Sequence, residues 1–188
     1  MFEKPFLRAA GIAFLVFAVS LGLGIAAVAQ DPAIGEEMLQ VFQEQVASEL
    51  AGDAPAVLFV KIFANNLGAC ILLFLGGASL GALTILILGL NGLLIGSIIE
   101  LVRQQQGIAF IAAALIPHGI FEIPSFIVAG ALGILLGQAL AAEWQGEGDA
   151  AETASHLGKT FVKIVVPLLA VAAVTEAFIT PAILRLIA

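Results

Sequence analysis

Long apolar runs dominate this chain, and the few polar stretches between them mark its elements. The first run covers residues 6–29, and the pattern changes at Asp31. From Asp31 to Asp53, Ile34, Met38, Phe42, Val46 and Leu50 recur every four positions among Glu and Gln. That spacing predicts an amphipathic helix in the 31–55 connection. Its polar face carries no Lys or Arg and so lacks the usual attraction to anionic headgroups, which puts it across the outer mouth of a bundle or against a partner. Pro55 restarts the apolar chain, and two runs follow, at about 57–76 and 79–101, split at Gly76-Gly77-Ala78-Ser79. So short a turn makes them antiparallel neighbours. Arg103-Gln104-Gln105-Gln106-Gly107 is a polar loop, 108–140 is apolar again, 142–158 reads as an acidic loop, and the last run covers 162–187.

Runs of about 20 apolar residues match a hydrocarbon core of about 30 Å, so the fold class is an all-α polytopic membrane helical bundle in a lipid bilayer. The run 108–140 fits less simply. As one helix it would be about 50 Å long, too long for one crossing and too short for two with a turn. Within it, Ile116-Pro117-His118-Gly119-Ile120-Phe121-Glu122-Ile123-Pro124 predicts a broken helix, with a re-entrant or half-crossing segment near 108–118. Five full spans result, or six if that segment crosses fully. With five, Lys4, Arg8, Lys159 and Lys163 share the cytoplasmic side with the amino terminus, which the positive-inside rule favours. Ala27-Val28-Ala29 has the outline of a signal-peptidase site, but the apolar stretch from Ala9 to Ala29 exceeds a signal core, so we read it as a retained first span.

Composition leaves no room for a soluble unit: 61% of residues are hydrophobic, 11% are charged, and mean hydropathy is +1.13. The whole of 1–188 is therefore one transmembrane domain. The net charge of −7 comes mainly from acids in the two connections, which read as solvated loop charge. Seven scattered Lys and Arg make no basic stripe, so nucleic acid is not an expected partner. The single cysteine, Cys70, allows no internal disulfide and reads as a small core residue. Gly77/Gly81, Gly92/Gly96 and Gly133/Gly137 have small-xxx-small spacing, which lets helix backbones approach within the bundle or across a homodimer.

Ionisable residues inside apolar runs are the candidates for function, because burying charge at the bilayer centre is costly. His118, Glu122 and Glu176 are the three that qualify; Asn65, Asn66, Asn91 and Thr180 are uncharged companions. His118 and Glu122 share a face if 118–122 is helical. Glu100, beside Arg103, reads as an interfacial ion pair, and His156 as solvated. The cluster has a structural reading, in which it pins helices together. It has two functional ones: an ion or proton pathway of a transporter, or a divalent metal site such as zinc, with intramembrane hydrolysis to follow. No cofactor is required by the first two.

Taken in order, Phe63-Ala64-Asn65-Asn66, Phe74-Leu75-Gly76-Gly77 through Gly81 and Thr84, Asn91-Gly92 with Gly96, Pro117-His118-Gly119 with Phe121-Glu122, and Glu176-Ala177-Phe178-Ile179-Thr180-Pro181 resemble the stage II sporulation protein M family over about residues 60–182. The resemblance implies a multi-pass plasma-membrane protein that acts as a scaffold assembling envelope protein partners. In endospore formers the namesake is similar to a membrane anchor working with peptidoglycan-degrading partners. It supplies no catalytic residues, and many relatives come from organisms that make no spores.

Overall fold

The computed structural model describes residues 4–45 and 54–187, and every regular element among them is helical. Helix α1 is Lys4–Gln30, α2 is Pro32–Gln45 and α3 is Pro55–Leu75, closed by a 3-10 turn at Gly76–Ser79. The next helical stretch, Ala82–Trp144, is interrupted at Gly107. Its two arms are α4 (82–106) and α5 (108–144). Helix α6 (150–187) completes the chain and contains two wide π-turns, at Phe161–Val165 and Thr175–Ile179. Four stretches are long and apolar enough to cross a membrane: Lys4–Gln30, Pro55–Ser79, Ala82–Trp144 and Ala150–Leu186. Of the amphipathic pattern, Val46 and Leu50 lie outside the described residues.

The break expected at Pro117-His118-Gly119 is not there. Helix α5 runs through both Pro117 and Pro124, and helical geometry fails at Gly107, with φ 85° and ψ 171°. That combination is open essentially to glycine alone. A proline in a membrane helix forfeits one N–H bond, which neighbouring helices and small local adjustments make tolerable. Residues 108–118 are thus the first part of α5, not a separate half-crossing. Pro117→Ala, which returns an N–H to a straight helix, is expected to leave the protein as stable as before or to stabilise it by up to about 3 kcal/mol. Thermal unfolding reads this, and a clear loss of stability would mean the ring is needed for packing.

Gly107 turns α4 and α5 into an antiparallel hairpin. A Cβ built on Gly130 would meet the Leu88 side chain, and one on Gly133 would meet Thr84, so the two arms run back along each other from Gly107. Arg103 to Gly107 are exposed at the tip. Just below it the buried Glu100 carboxylate accepts from Arg103 Nε and Nη2, both at 2.6 Å, and from Gln104 Nε2 at 2.9 Å.

The glycine pairs are filled from within the chain. Gly92 and Gly96 sit against the α1 backbone at Phe17 and Leu21, and Gly24 of α1 sits against Leu93 and Ser97. At the opposite end from the tip, Gly77 abuts Gly133, Gly133 abuts the Leu73 carbonyl, and Gly137 abuts Leu80 and Gly81. Those faces are not free for the homodimer considered from sequence. Thr84 Oγ1 donates to the Leu73 carbonyl at 2.9 Å, binding α4 to the end of α3. Cys70, Leu73, Leu88, Leu132 and Leu169 are fully or almost fully buried around this junction. Helix α2 folds back at the tip end, where Gly35 meets Val28 and Leu101.

The acidic loop read over 142–158 is mostly helix. Helix α5 extends to Trp144 and α6 begins at Ala150, where the Asp149 side chain accepts from the Glu152 N–H at 2.8 Å. Asp149-Ala-Ala-Glu152 is a helix-start signal of the capping type, in which the acid at the first position satisfies a free amide of the first turn. Each π-turn of α6 ends two residues before a proline, Pro167 or Pro181. The widened turn gives the proline ring room against the carbonyl it would otherwise strike.

Candidate functional site

Two adjacent turns of α5 place His118 and Glu122 on one face, as helical spacing of four requires. His118 Nε2 lies 3.9 Å from Glu122 Oε2, with the side chains 12% and 20% exposed. Glu176 arrives from α6, inside the π-turn Thr175–Ile179. One donor atom from each of His118, Glu122 and Glu176 lies within 4.8 Å of the others. Among the described residues no hydrogen bond joins the three, and His118 Nδ1 is buried with no partner. At about 1.5 Å per residue, His118 and Glu122 stand about 17 and 22 Å along α5 from the Gly107 tip.

The three groups line a cavity of about 560 Å³ between α1, α3, α4, α5 and α6. Asn65 and Asn66 of α3 and Asn91 of α4 share its wall, as the sequence candidates would require to act together. Asn66 is buried, Asn65 is exposed and donates to the Asn66 side chain at 3.4 Å, and Asn91 Nδ2 donates to the Ile87 carbonyl at 2.9 Å. Ile95, Ile98, Ile111, Leu115 and Phe126 supply apolar surface, the usual makeup of a ligand pocket. Thr180 does not line the cavity. Its Oγ1 donates to the Thr175 carbonyl at 3.3 Å, closing the π-turn that carries Glu176.

Sequence reasoning missed Lys61, which also lines the cavity. It lies about 9 Å along α3 from Pro55, the end of α3 nearer Gly107, so the cavity extends on that side of the His/Glu cluster. A lone lysine in an apolar run, four residues before Asn65 and on its face, was the available signal. His156, by contrast, is exposed and 4.0 Å from an equally exposed Glu152, away from the cavity.

Residues 13–181 match the family described as Stage II sporulation protein M. An uncharacterized protein of Methanocaldococcus jannaschii is 29% identical over 129 residues, covering 66% of this chain and 72% of that protein. No solved structure matches the chain.

Proposed function

Because the chain belongs to the Stage II sporulation protein M family, and its helices are long and apolar enough for a bilayer, we propose that it is a multi-pass plasma-membrane protein working as an ion- or proton-coupled transporter through its central cavity. In this reading α1, α3, α4, α5 and α6 are the five spans. Lys4, Arg8, Lys159 and Lys163 then lie together on the cytoplasmic side with the amino terminus.

One observation carries the reading: an imidazole and two carboxylates meet at mid-depth in a cavity and are not bonded to one another. Polar groups that merely pin helices together are expected to satisfy each other, because an unmet polar atom in a low dielectric is costly. Here the buried His118 Nδ1 is unmet, and open volume takes the place of bonds. A cavity extending from the Lys61 end to a His/Glu cluster suits alternating exposure of a midplane site.

The scaffold reading finds its support in α2, which presents exposed Ile34, Glu36 and Glu37 at the tip end for an envelope partner. Proteoliposomes distinguish the two. Under an imposed pH gradient, the protein is expected to pass protons faster than protein-free vesicles, and Glu176→Gln to fall to their level. Equal flux in wild type and Glu176→Gln would refute the transporter, and envelope partners captured equally by both would put the scaffold in its place.

A further inference from the structure

The geometry points to a binding site for one divalent first-row transition ion, of the zinc class, between His118, Glu122 and Glu176. This deepens the reading of the cavity as an ion site by naming the ion. Nitrogen from one residue and oxygen from two others already converge to within 4.8 Å. Donors at about 2.0–2.2 Å from a tetrahedral ion stand about 3.4 Å apart. The closing movement is therefore at most about 1.4 Å, which rotation of two carboxylate side chains supplies without moving a helix. His118 and Glu122 are held at adjacent turns of α5, so one helix face presents two donors in fixed register. Glu176 comes from the widened turn of α6, and wide turns of this kind occur often at functional sites.

Burial and like charge together favour a cation at this place. Two carboxylates approach each other at membrane depth, and a cation among them offsets both their burial and their repulsion. The donor set then selects the ion. Calcium takes six to eight oxygens and magnesium a hydrated octahedron, neither of which an imidazole and two carboxylates provide. Copper(I) prefers sulfur, and Cys70 is buried in the apolar core outside this set. Three protein ligands with adjoining open volume match the pattern of zinc sites that keep a fourth position for water.

The test uses the full chain in detergent or nanodiscs, purified on a tag without histidine, stripped with chelator and titrated with Zn²⁺ and Co²⁺. One ion per chain is expected, with a Co²⁺ visible spectrum of tetrahedral intensity. His118→Ala and Glu176→Gln are expected to weaken binding about 10- to 100-fold or more, while His156→Ala leaves it unchanged. Binding that survives His118→Ala, or falls in His156→Ala, would overturn the site. Should the cluster variants fail to fold, the wild-type spectrum decides alone: no tetrahedral Co²⁺ band refutes the proposal. Proton flux by a protein that binds no added Zn²⁺ or Co²⁺ would overturn this inference and leave the transporter standing; one bound ion without flux would do the reverse.

Discussion

Gly96→Leu is expected to abolish the folded bundle, while Gly22→Leu leaves it intact. A Cβ on Gly96 would run into the carbonyl oxygen of Leu21, which is backbone and cannot swing aside. Even alanine would force α1 away from α4. The separation would spread to Gly92 and Gly24, which depend on the same close approach through Phe17, Ser20, Leu93 and Ser97. In a membrane the bundle gains little from burial, so close packing carries much of its cohesion. Overpacking usually costs about 1–3 kcal/mol. Backbone contact along a whole helix pair puts leucine at 96 at about 4 kcal/mol or more, at the extreme of single substitutions. Gly22, on the outer face of α1, has nothing within 4 Å of its own Cβ position. Maleimide labelling of Cys70, the single thiol and fully buried, reads both variants in membranes. Fast labelling is expected for Gly96→Leu and slow labelling for Gly22→Leu; slow labelling of both would refute the packing argument.

Gly107→Val is expected to have the second largest effect, and through strain instead of collision. Nothing lies within 4 Å of a Cβ at Gly107, so space is not the obstacle. The dihedral pair, φ 85° and ψ 171°, is the obstacle, since a β-branched residue held there costs about 3 kcal/mol. The chain can relieve that strain by opening the hairpin, which would draw the α4 wall of the cavity, with Asn91 and Ile95, away from the α5 wall, with Leu115 and His118. Loss of thermal stability together with loss of Zn²⁺ or proton binding is therefore expected. Gly107→Val that binds as wild type would show that the walls are held together without the turn.

The span limits were legible because polar side chains resist the hydrocarbon phase. Runs at 6–29 and 57–76 correspond to Lys4–Gln30 and Pro55–Leu75 within a few residues. The break was misplaced because proline is a strong breaker in water and a weaker one where lipid offers no competing hydrogen bonds. Gly107 stood in plain view at the end of a polar loop, but glycine reveals a turn only when its dihedral angles are known. At the site, the His118–Glu122 spacing followed from helical periodicity. That Glu176 joins them was expected only from the cost of leaving an acid in lipid, because a π-turn shifts the phase of the helix and no 3.6-residue period reports which face it takes. Lys61 is a wall residue four positions from Asn65, and its place in the cavity follows from the packing of α3 against the other helices, which the sequence does not report.

The hairpin at Gly107 also bears on how the chain is made. With no slack between α4 and α5, the nascent polypeptide has no soluble link long enough to let the first arm enter the bilayer and wait for the second. If α4 and α5 are two of five spans, as proposed, they are expected to go in as a pair, and the group to be carried across is small: one arginine paired with Glu100, three glutamines and a glycine. A longer or more charged insert at this point would be felt first during biogenesis, before any effect on the finished protein.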